Sequence, residues 1–174
     1  MGDGDFAQGW TPISIPLVFK LSGLNAFKGR PEALLFPDVN VLVNAHREDA
    51  PQHDACLGWL RRALTRGPGL ALCDQVLLGF LRVVTHPRIY RPATSPETAF
   101  EFCDRLRDNP FATVVSPGPR HWTLLKQLTQ SAGARGDLFP DAYLAALALE
   151  SGSQLVSLDE DFDEFPGLKW QRPH

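Results

Sequence analysis

Four carboxylates in this chain lie where a short apolar run ends or where a helix begins. Asp38, Asp74 and Asp159 each follow an apolar run, and Asp141 opens a long apolar run. If the short runs are parallel strands, the three acids that follow them share the carboxyl edge of one sheet, where open α/β folds bind ligands. Acids that converge there repel one another unless a cation lies between them. Oxygen ligands of this kind suit Mg²⁺ or Mn²⁺, so the sequence predicts a metal-dependent enzyme.

Each of these acids also has a simpler explanation. Asp38, Asp74 and Asp141 can cap or begin a helix, and Asp159 can belong to an acidic turn. Taken alone, each position is more often structural than catalytic, so the prediction of one site depends on their common edge. At Asp141 the unpaired N–H groups and the positive end of a helix dipole are expected to favour the ionised form.

The elements that must position these acids alternate along the chain from residue 33 onward. The predicted strands are 34–36, 70–72, 112–115 and 154–158, with 168–170 at an edge, and the predicted helices are 51–66, 75–85, 96–108, 119–131 and one beginning at Asp141. Strands that alternate with helices predict an α/β fold. We expect a three-layer α/β/α sandwich with a central, mainly parallel sheet.

Length and composition fit one globular domain. The chain has 174 residues, of which 44% are hydrophobic and 21% charged, as is ordinary for a protein with a single well-buried core. Residues 1–32 are rich in Gly and Pro and are predicted to form a loosely ordered extension, and 33–174 the folded domain.

The net charge and the cysteines indicate what this protein can bind and in which compartment it is found. A formal net charge of −3 argues against a generally basic nucleic-acid coat, but a local arginine patch can still bind phosphate. The three cysteines (Cys56, Cys73 and Cys103) lack paired spacing and are predicted to be buried thiols in a reducing cytoplasm. No apolar run approaches the length of a membrane span. We therefore expect a soluble cytoplasmic protein.

The sequence lacks the motifs that would predict a catalytic site of a different kind. The histidines show no HExxH spacing, and the chain contains no GxSxG, GxGxxG or P-loop motif. Trp59 and Trp122 lie on predicted helices and are expected in the core.

Five segments of the chain together resemble a PIN domain, and more narrowly the VapC toxins of bacterial toxin–antitoxin pairs, especially a mycobacterial subgroup. They are LLFPDVNVLV (34–43), GFLRVVTHPR (79–88), GPRHW (118–122), DAYLAALA (141–148) and SLDEDF (157–162). They occur in the family order and extend from residue 34 to the C-terminus.

The resemblance implies an Mg²⁺- or Mn²⁺-dependent endoribonuclease inhibited by a cognate VapB-like antitoxin, and a homodimer. The family's first, third and fourth acids match Asp38, Asp141 and Asp159, with Asp161 as an additional metal ligand. The family's second acid is usually Glu, but this neighbourhood holds Leu77, Leu78 and Gly79, so Asp74 is the expected catalytic substitute.

Further residues have expected roles around these acids. Asn40 and Ser157 are expected to orient the metal ligands as hydrogen-bond donors. Arg82, Arg88 and Arg135 are expected to grip RNA phosphates.

Two other functions remain open at this point. A HAD-like phosphotransferase also has Asp after its first strand, but it requires a second acid two residues later, where this chain has Asn40. A degenerate PIN domain that binds RNA or protein without cutting is suggested by the missing Glu.

Overall fold

The computed structural model describes residues 33–174, so the predicted extension at 1–32 lies outside the described residues. Strands and helices alternate along the described part. In chain order they are β1 (Leu35–Pro37), α1 (Val39–His46), α2 (His53–Ala63), β2 (Leu70–Leu72), α3 (Asp74–Val84), α4 (Pro96–Arg107), β3 (Ala112–Val114), α5 (His121–Ser131), α6 (Leu138–Ser151), β4 (Gln154–Val156) and β5 (Trp170–Gln171), with a 3₁₀ helix at Glu160–Glu164 before β5.

The five strands form one sheet in the order β3-β2-β1-β4-β5, and every neighbouring pair is parallel. Connections between parallel strands are right-handed, so α1 to α4 cover one face and α5 and α6 cover the other. The contacts agree, since α1 packs on α2 and α3, α3 packs on α4, and α5 packs on α6. The predicted three-layer α/β/α fold is confirmed.

The order of the strands indicates where in the sheet a ligand would bind. The chain leaves β1 toward β2 on one side of the sheet and returns to β4 on the other. The carboxyl ends of β1 and β4 therefore border the crevice where the direction of strand addition reverses, and open α/β folds bind ligands in such a crevice. Asp38 and Asp159 follow these two strands.

The core fills both sides of the central strands. Phe36, the whole of Leu70–Leu72, Leu155 and Val156 are fully buried, as strands covered on two faces require. The three cysteines are buried free thiols, as predicted. None of the helices within residues 33–174 is long and apolar enough to cross a membrane.

The two tryptophans expected in the core have different environments. Trp59 is buried, but Trp122 is 70% exposed, so the prediction for Trp122 was wrong. Helix α5 packs through His121 and Leu128, which are buried, and through Leu124 and Leu125, which are partly buried. These four residues have the i, i+3, i+4, i+7 spacing of one helix face. Trp122 lies about 100° away from that face.

The last helix begins earlier than predicted. Helix α6 starts at Leu138 and not at Asp141, because Pro140 is tolerated in the first turn, where its missing N–H has no intrahelical partner to lose. Asp141 is still in that first turn. The helix ends at Gly152, whose φ of +68° gives the left-handed cap that favours glycine.

Candidate active site

Asp38 is the most deeply buried acid of the site, with 7% of its surface exposed. It directly follows β1 and caps α1, because its Oδ1 accepts the N–H of Val39 at 2.6 Å. Its own N–H donates to the carbonyl of Val156 at 2.8 Å, which ties it to the end of β4. Burial raises the pKa of Asp38; the hydrogen bonds from Ser157 and Val39 oppose that rise, and the charge of Asp159 adds to it.

Asn40 and Ser157 hold the other oxygen of this carboxylate. The amide Nδ2 of Asn40 and the hydroxyl of Ser157 each donate to Asp38 Oδ2 at 2.7 Å. The Asn40 Nδ2 also donates to Ser157 Oγ at 2.9 Å, and its Oδ1 accepts the N–H of Leu158 at 3.1 Å. The first turn of α1 and the end of β4 are thereby joined around one carboxylate, whose orientation is fixed.

Asp141 approaches the group from the first turn of α6. Its pKa is raised to about 6, first by burial and then by the charges of Asp38, Asp159, Asp161 and Asp137. Burial and the like charges oppose the effect of the helix dipole at this position, but a group with a pKa of about 6 is still mainly ionised at neutral pH. The contribution of these charges to the pKa of Asp141 is consistent with carboxylates that lie near one another.

Asp159 and Asp161 lie on the turn after β4. The Asp159 N–H donates to Ser157 Oγ and its Oδ1 accepts the N–H of Asp161, both at 3.0 Å. Phe162 is fully buried and anchors this turn in the core. Both acids are exposed on the outer side of the group, where side chains can still adjust to a ligand.

Asp74 stands apart from the other acids. It is the first residue of α3, its side chain is 79% exposed, and it forms an ion pair with Arg107 of α4. It is not among the charges that act on Asp38 or Asp141. Although Asp74 follows a strand at the same edge of the sheet, the structure does not bring its carboxylate into the group.

Leu77, Leu78 and Gly79 occupy the part of α3 where the family usually has Glu. Leu77 is buried and Leu78 is exposed. A Cβ added at Gly79 would lie 2.7 Å from Cγ2 of Val39, so a side chain at that position would require Val39 to shift.

The three arginines predicted to bind RNA are all exposed. Arg82 is in the last turn of α3, Arg88 is in the loop that follows, and Arg135 is in the loop between α5 and α6. Four ion pairs occur among residues 33–174, and none of them uses these three arginines.

Sequence reasoning missed Asp137. This exposed residue precedes α6, and its charge helps to raise the pKa of Asp141. Its i, i+4 spacing to Asp141 was the available signal, since such residues lie on the same side of a helix.

The donor set fits a hard divalent cation in its chemistry. Every converging ligand is a carboxylate, and their mutual repulsion is what a cation would relieve. An ionised carboxylate offers about four acceptor positions, and the three bonds to Asp38 leave room for an ion. Within residues 33–174, no three His, Cys, Asp or Glu side chains are close enough to ligate one ion as they stand.

Comparison with known proteins identifies the family. The sequence profile of the PIN domain matches residues 35–168. Ribonuclease VapC43 of Mycobacterium tuberculosis is 42% identical over 140 residues, covering 80% of this chain and 95% of the relative. Ribonuclease VapC25 of the same organism is 40% identical over 136 residues, covering 78% and 96%. This chain belongs to the VapC ribonuclease family of PIN-domain proteins.

The solved structures agree with the VapC assignment at the level of the fold. The structure of VapBC2 from Rickettsia felis, bound to a DNA fragment from their promoter, contains a chain with a TM-score of 0.60 and 15% identity, covering 80% of this VapC-family chain and 98% of that one. The resemblance noted from the five sequence segments is confirmed.

Proposed function

We propose that this protein is the toxin of a type II toxin–antitoxin pair and cuts RNA as a metal-dependent endoribonuclease. The observation that carries the proposal is the position of Asp38 and Asp159 just after the paired strands β1 and β4, with Asp141 in the first turn of α6. The raised pKa of Asp141 supports it, because the charges of Asp38, Asp159 and Asp161 contribute to the rise. The ribonuclease names of the curated relatives support RNA as the substrate.

In the proposed site, Asp38 and Asp141 hold the principal Mg²⁺ or Mn²⁺, and Asp159 and Asp161 complete its surroundings directly or through water. A bound divalent ion lowers the pKa of its water and offsets charge that builds on the scissile phosphate. Asn40 holds Asp38 Oδ2 in one orientation together with Ser157, so a ligand oxygen is positioned before the ion arrives.

The predicted arginines and Asp74 are supported by different observations. Arg82, Arg88 and Arg135 are exposed and are used by none of the ion pairs among the described residues, as phosphate contacts should be. Asp74 has weaker support, because its partner is Arg107.

The proposed partners follow from the family. A cognate VapB-like antitoxin inhibits the enzyme, and the structural relative crystallised as VapBC2 supports such a partner. Homodimerisation, a cytoplasmic location and the boundary between 1–32 and 33–174 remain predictions.

One observation favours a second candidate function, a degenerate PIN domain that binds without cutting. In the part of α3 where the family usually has Glu, this chain has no acid, and its Gly79 is packed closely against Val39. A protein of this kind would bind RNA or a protein partner equally well with or without divalent ions.

The test is cleavage of total RNA by the purified full chain with Mg²⁺ or Mn²⁺, beside EDTA. The Asp38→Asn/Asp141→Asn variant removes two proposed ligands, and Asp54→Asn/Asp104→Asn removes two exposed acids from α2 and α4 as the matched control. We expect cutting by the wild type and the control only, and only with metal. Cutting that persists in the first variant would refute the site, and no cutting by the wild type would favour the binding module.

A further inference from the structure

A loop at residues 86–94 joins α3 to α4 at the end of α1 that lies away from the acids. Helix α1 begins beside Asp38, has eight residues and ends before Arg47. With a rise of about 1.5 Å per residue, the loop and the acids are separated by about 12 Å along α1. The loop is therefore too far away to take part in the chemistry, but a bound polymer can reach both places.

Arg47 fixes this loop to the end of α1. Its Nη1 donates to the carbonyl of Pro92 at 3.1 Å and to Thr94 Oγ1 at 3.3 Å. Its guanidinium carbon lies 4.3 Å from the centre of the Tyr90 ring, a cation–π contact. The opposite side of the guanidinium forms a two-bond pair with Asp49, at 2.8 and 2.7 Å. Only 13% of the Arg47 side chain is exposed, because its guanidinium is bound by Asp49 and by the loop.

His46 adds a second attachment. Its Nε2 lies 3.3 Å from Thr94 Oγ1, and its ring packs edge-on against Phe80 and Phe102. The Thr94 N–H donates to the carbonyl of Val84 at 2.9 Å. The loop is thus attached to α1 and α3 near its end, while Tyr90 is held in its middle by Arg47.

The outer side of the held loop is basic. Arg88 and Arg91 are exposed, and Ile89 between them is the loop's exposed large apolar side chain. Arg82, in the preceding turn of α3, is exposed as well. No ion pair among residues 33–174 uses any of these arginines, so their charges are available to an outside anion.

The chemistry of the surface favours a nucleic-acid strand over a protein. Guanidinium groups bind phosphate through paired, charge-assisted hydrogen bonds, and a loop already fixed in place loses little conformational freedom on binding. A docked protein helix needs several apolar anchors, and this loop exposes Ile89 alone as a large one.

We propose that loop 86–94 is a second RNA-binding surface, in which Arg88 and Arg91 contact phosphates of a strand that extends beyond the acids. Arg47 is its positioning residue. This inference rests on the proposed ribonuclease function, and it adds that long RNA is held at two places while a very short RNA is held at one.

The test measures RNA binding by fluorescence anisotropy in EDTA, in the full chain carrying Asp38→Asn/Asp141→Asn so that cleavage cannot interfere. The probes are single-stranded RNAs of about 20 and about 4 nucleotides, which bracket the usual sizes of single-strand sites. Arg88→Ala/Arg91→Ala removes the proposed contacts, and Arg61→Ala/Arg66→Ala removes the same charge from exposed positions near the end of α2.

We expect Arg88→Ala/Arg91→Ala to weaken binding of the long RNA by at least about tenfold at low salt. Two lost phosphate contacts should also reduce the slope of log K against log salt by about 1.4. The affinity of Arg88→Ala/Arg91→Ala for the short RNA should equal that of the Asp38→Asn/Asp141→Asn parent. The affinity of Arg61→Ala/Arg66→Ala for either RNA should equal that of the same parent.

The role of Arg47 is tested with Arg47→Lys, which keeps the charge but loses the planar fork. In the cleavage-competent chain it should raise KM for the long RNA with kcat unchanged, and leave cleavage of the short RNA unaffected. A general loss of structure would instead lower activity on both RNAs.

The outcomes separate this inference from the proposed function. Unchanged affinity and salt slope in Arg88→Ala/Arg91→Ala would overturn the RNA-binding surface, even if the wild type cuts RNA, and would leave the loop to a protein partner. An equal loss in the Arg61→Ala/Arg66→Ala control would overturn it as well, because only total charge would then matter. Selective loss of long-RNA binding would support it, even if the wild type proved unable to cut.

Discussion

Replacing Asp141 with Asn removes a carboxyl group whose ionisation the surrounding site opposes. The pKa of this group is raised from 3.8 to about 6 by burial and by neighbouring carboxylates. Below the pKa of the unfolded state, Asp141 is protonated in both the folded and the unfolded chain, and its surroundings do not lower the free energy of unfolding. As pH rises toward 6 the unfolded chain loses this proton first, so folding stability falls, and above 6 the full cost is present.

The free-energy cost at Asp141 follows from the size of its pKa shift. About two pKa units correspond to about 3 kcal/mol at full value. Asp141 is only partly buried, and water screens its neighbours, so we expect about 1–2 kcal/mol in practice. Asp141→Asn should therefore gain stability relative to the wild type by about that amount between about pH 4 and about pH 8.

The assay is urea unfolding of both proteins across this pH range in EDTA, with Asp54→Asn on α2 as the control for loss of an exposed acid. Adding Mg²⁺ at the upper pH should stabilise the wild type and not the variant, because only a protein that binds the ion gains from it. A stability difference between Asp141→Asn and the wild type that stays constant with pH would refute the electrostatic reasoning.

Three further outcomes follow from contacts at the same edge of the sheet. Asp74→Asn should reduce cleavage far less than Asp141→Asn in a metal-dependent assay, and an equal loss would show that its carboxylate reaches the site. Gly79→Ala should lower the free energy of unfolding by about 1–3 kcal/mol through overpacking, and Val39→Ala in the same chain should recover much of it; simple additivity would contradict this. Ser157→Ala should cost about 1–3 kcal/mol and lower activity, and an unaltered urea midpoint would show that its bond to Asp38 is dispensable.

Much of the fold could be predicted from local patterns. The buried strands are short runs of large apolar residues, and acids follow three of them, so the sheet and its functional edge could be inferred at Asp38 and Asp159. Ser95 precedes Pro96 at the start of α4 and caps that helix, with its hydroxyl accepting the N–H of Thr98, as the residue types at this helix start favour. These features depend on residues close together in sequence, where periodicity and capping rules apply directly.

The features that could not be predicted depend on distant pairing. Asp74 is paired with Arg107, which is 33 residues away, and nothing in the local sequence distinguishes an acid with such a partner from a free one. The attachment of loop 86–94 to Arg47 likewise joins segments that are separated by two helices and a strand. The direction of the pKa shift at Asp141 depended on which charges surround it in space, and the helix dipole alone could not give it.

The close approach of Gly79 to Val39 also restricts how the sequence of this protein can change. A glutamate placed at position 79 would force its Cβ against the γ-methyl group of Val39, which lies 2.7 Å from that Cβ position. Because a β-branched residue on a helix has little freedom to rotate away, position 39 would have to become smaller first. An acid at position 79 is therefore expected to need a compensating change at Val39, the residue next to Asp38.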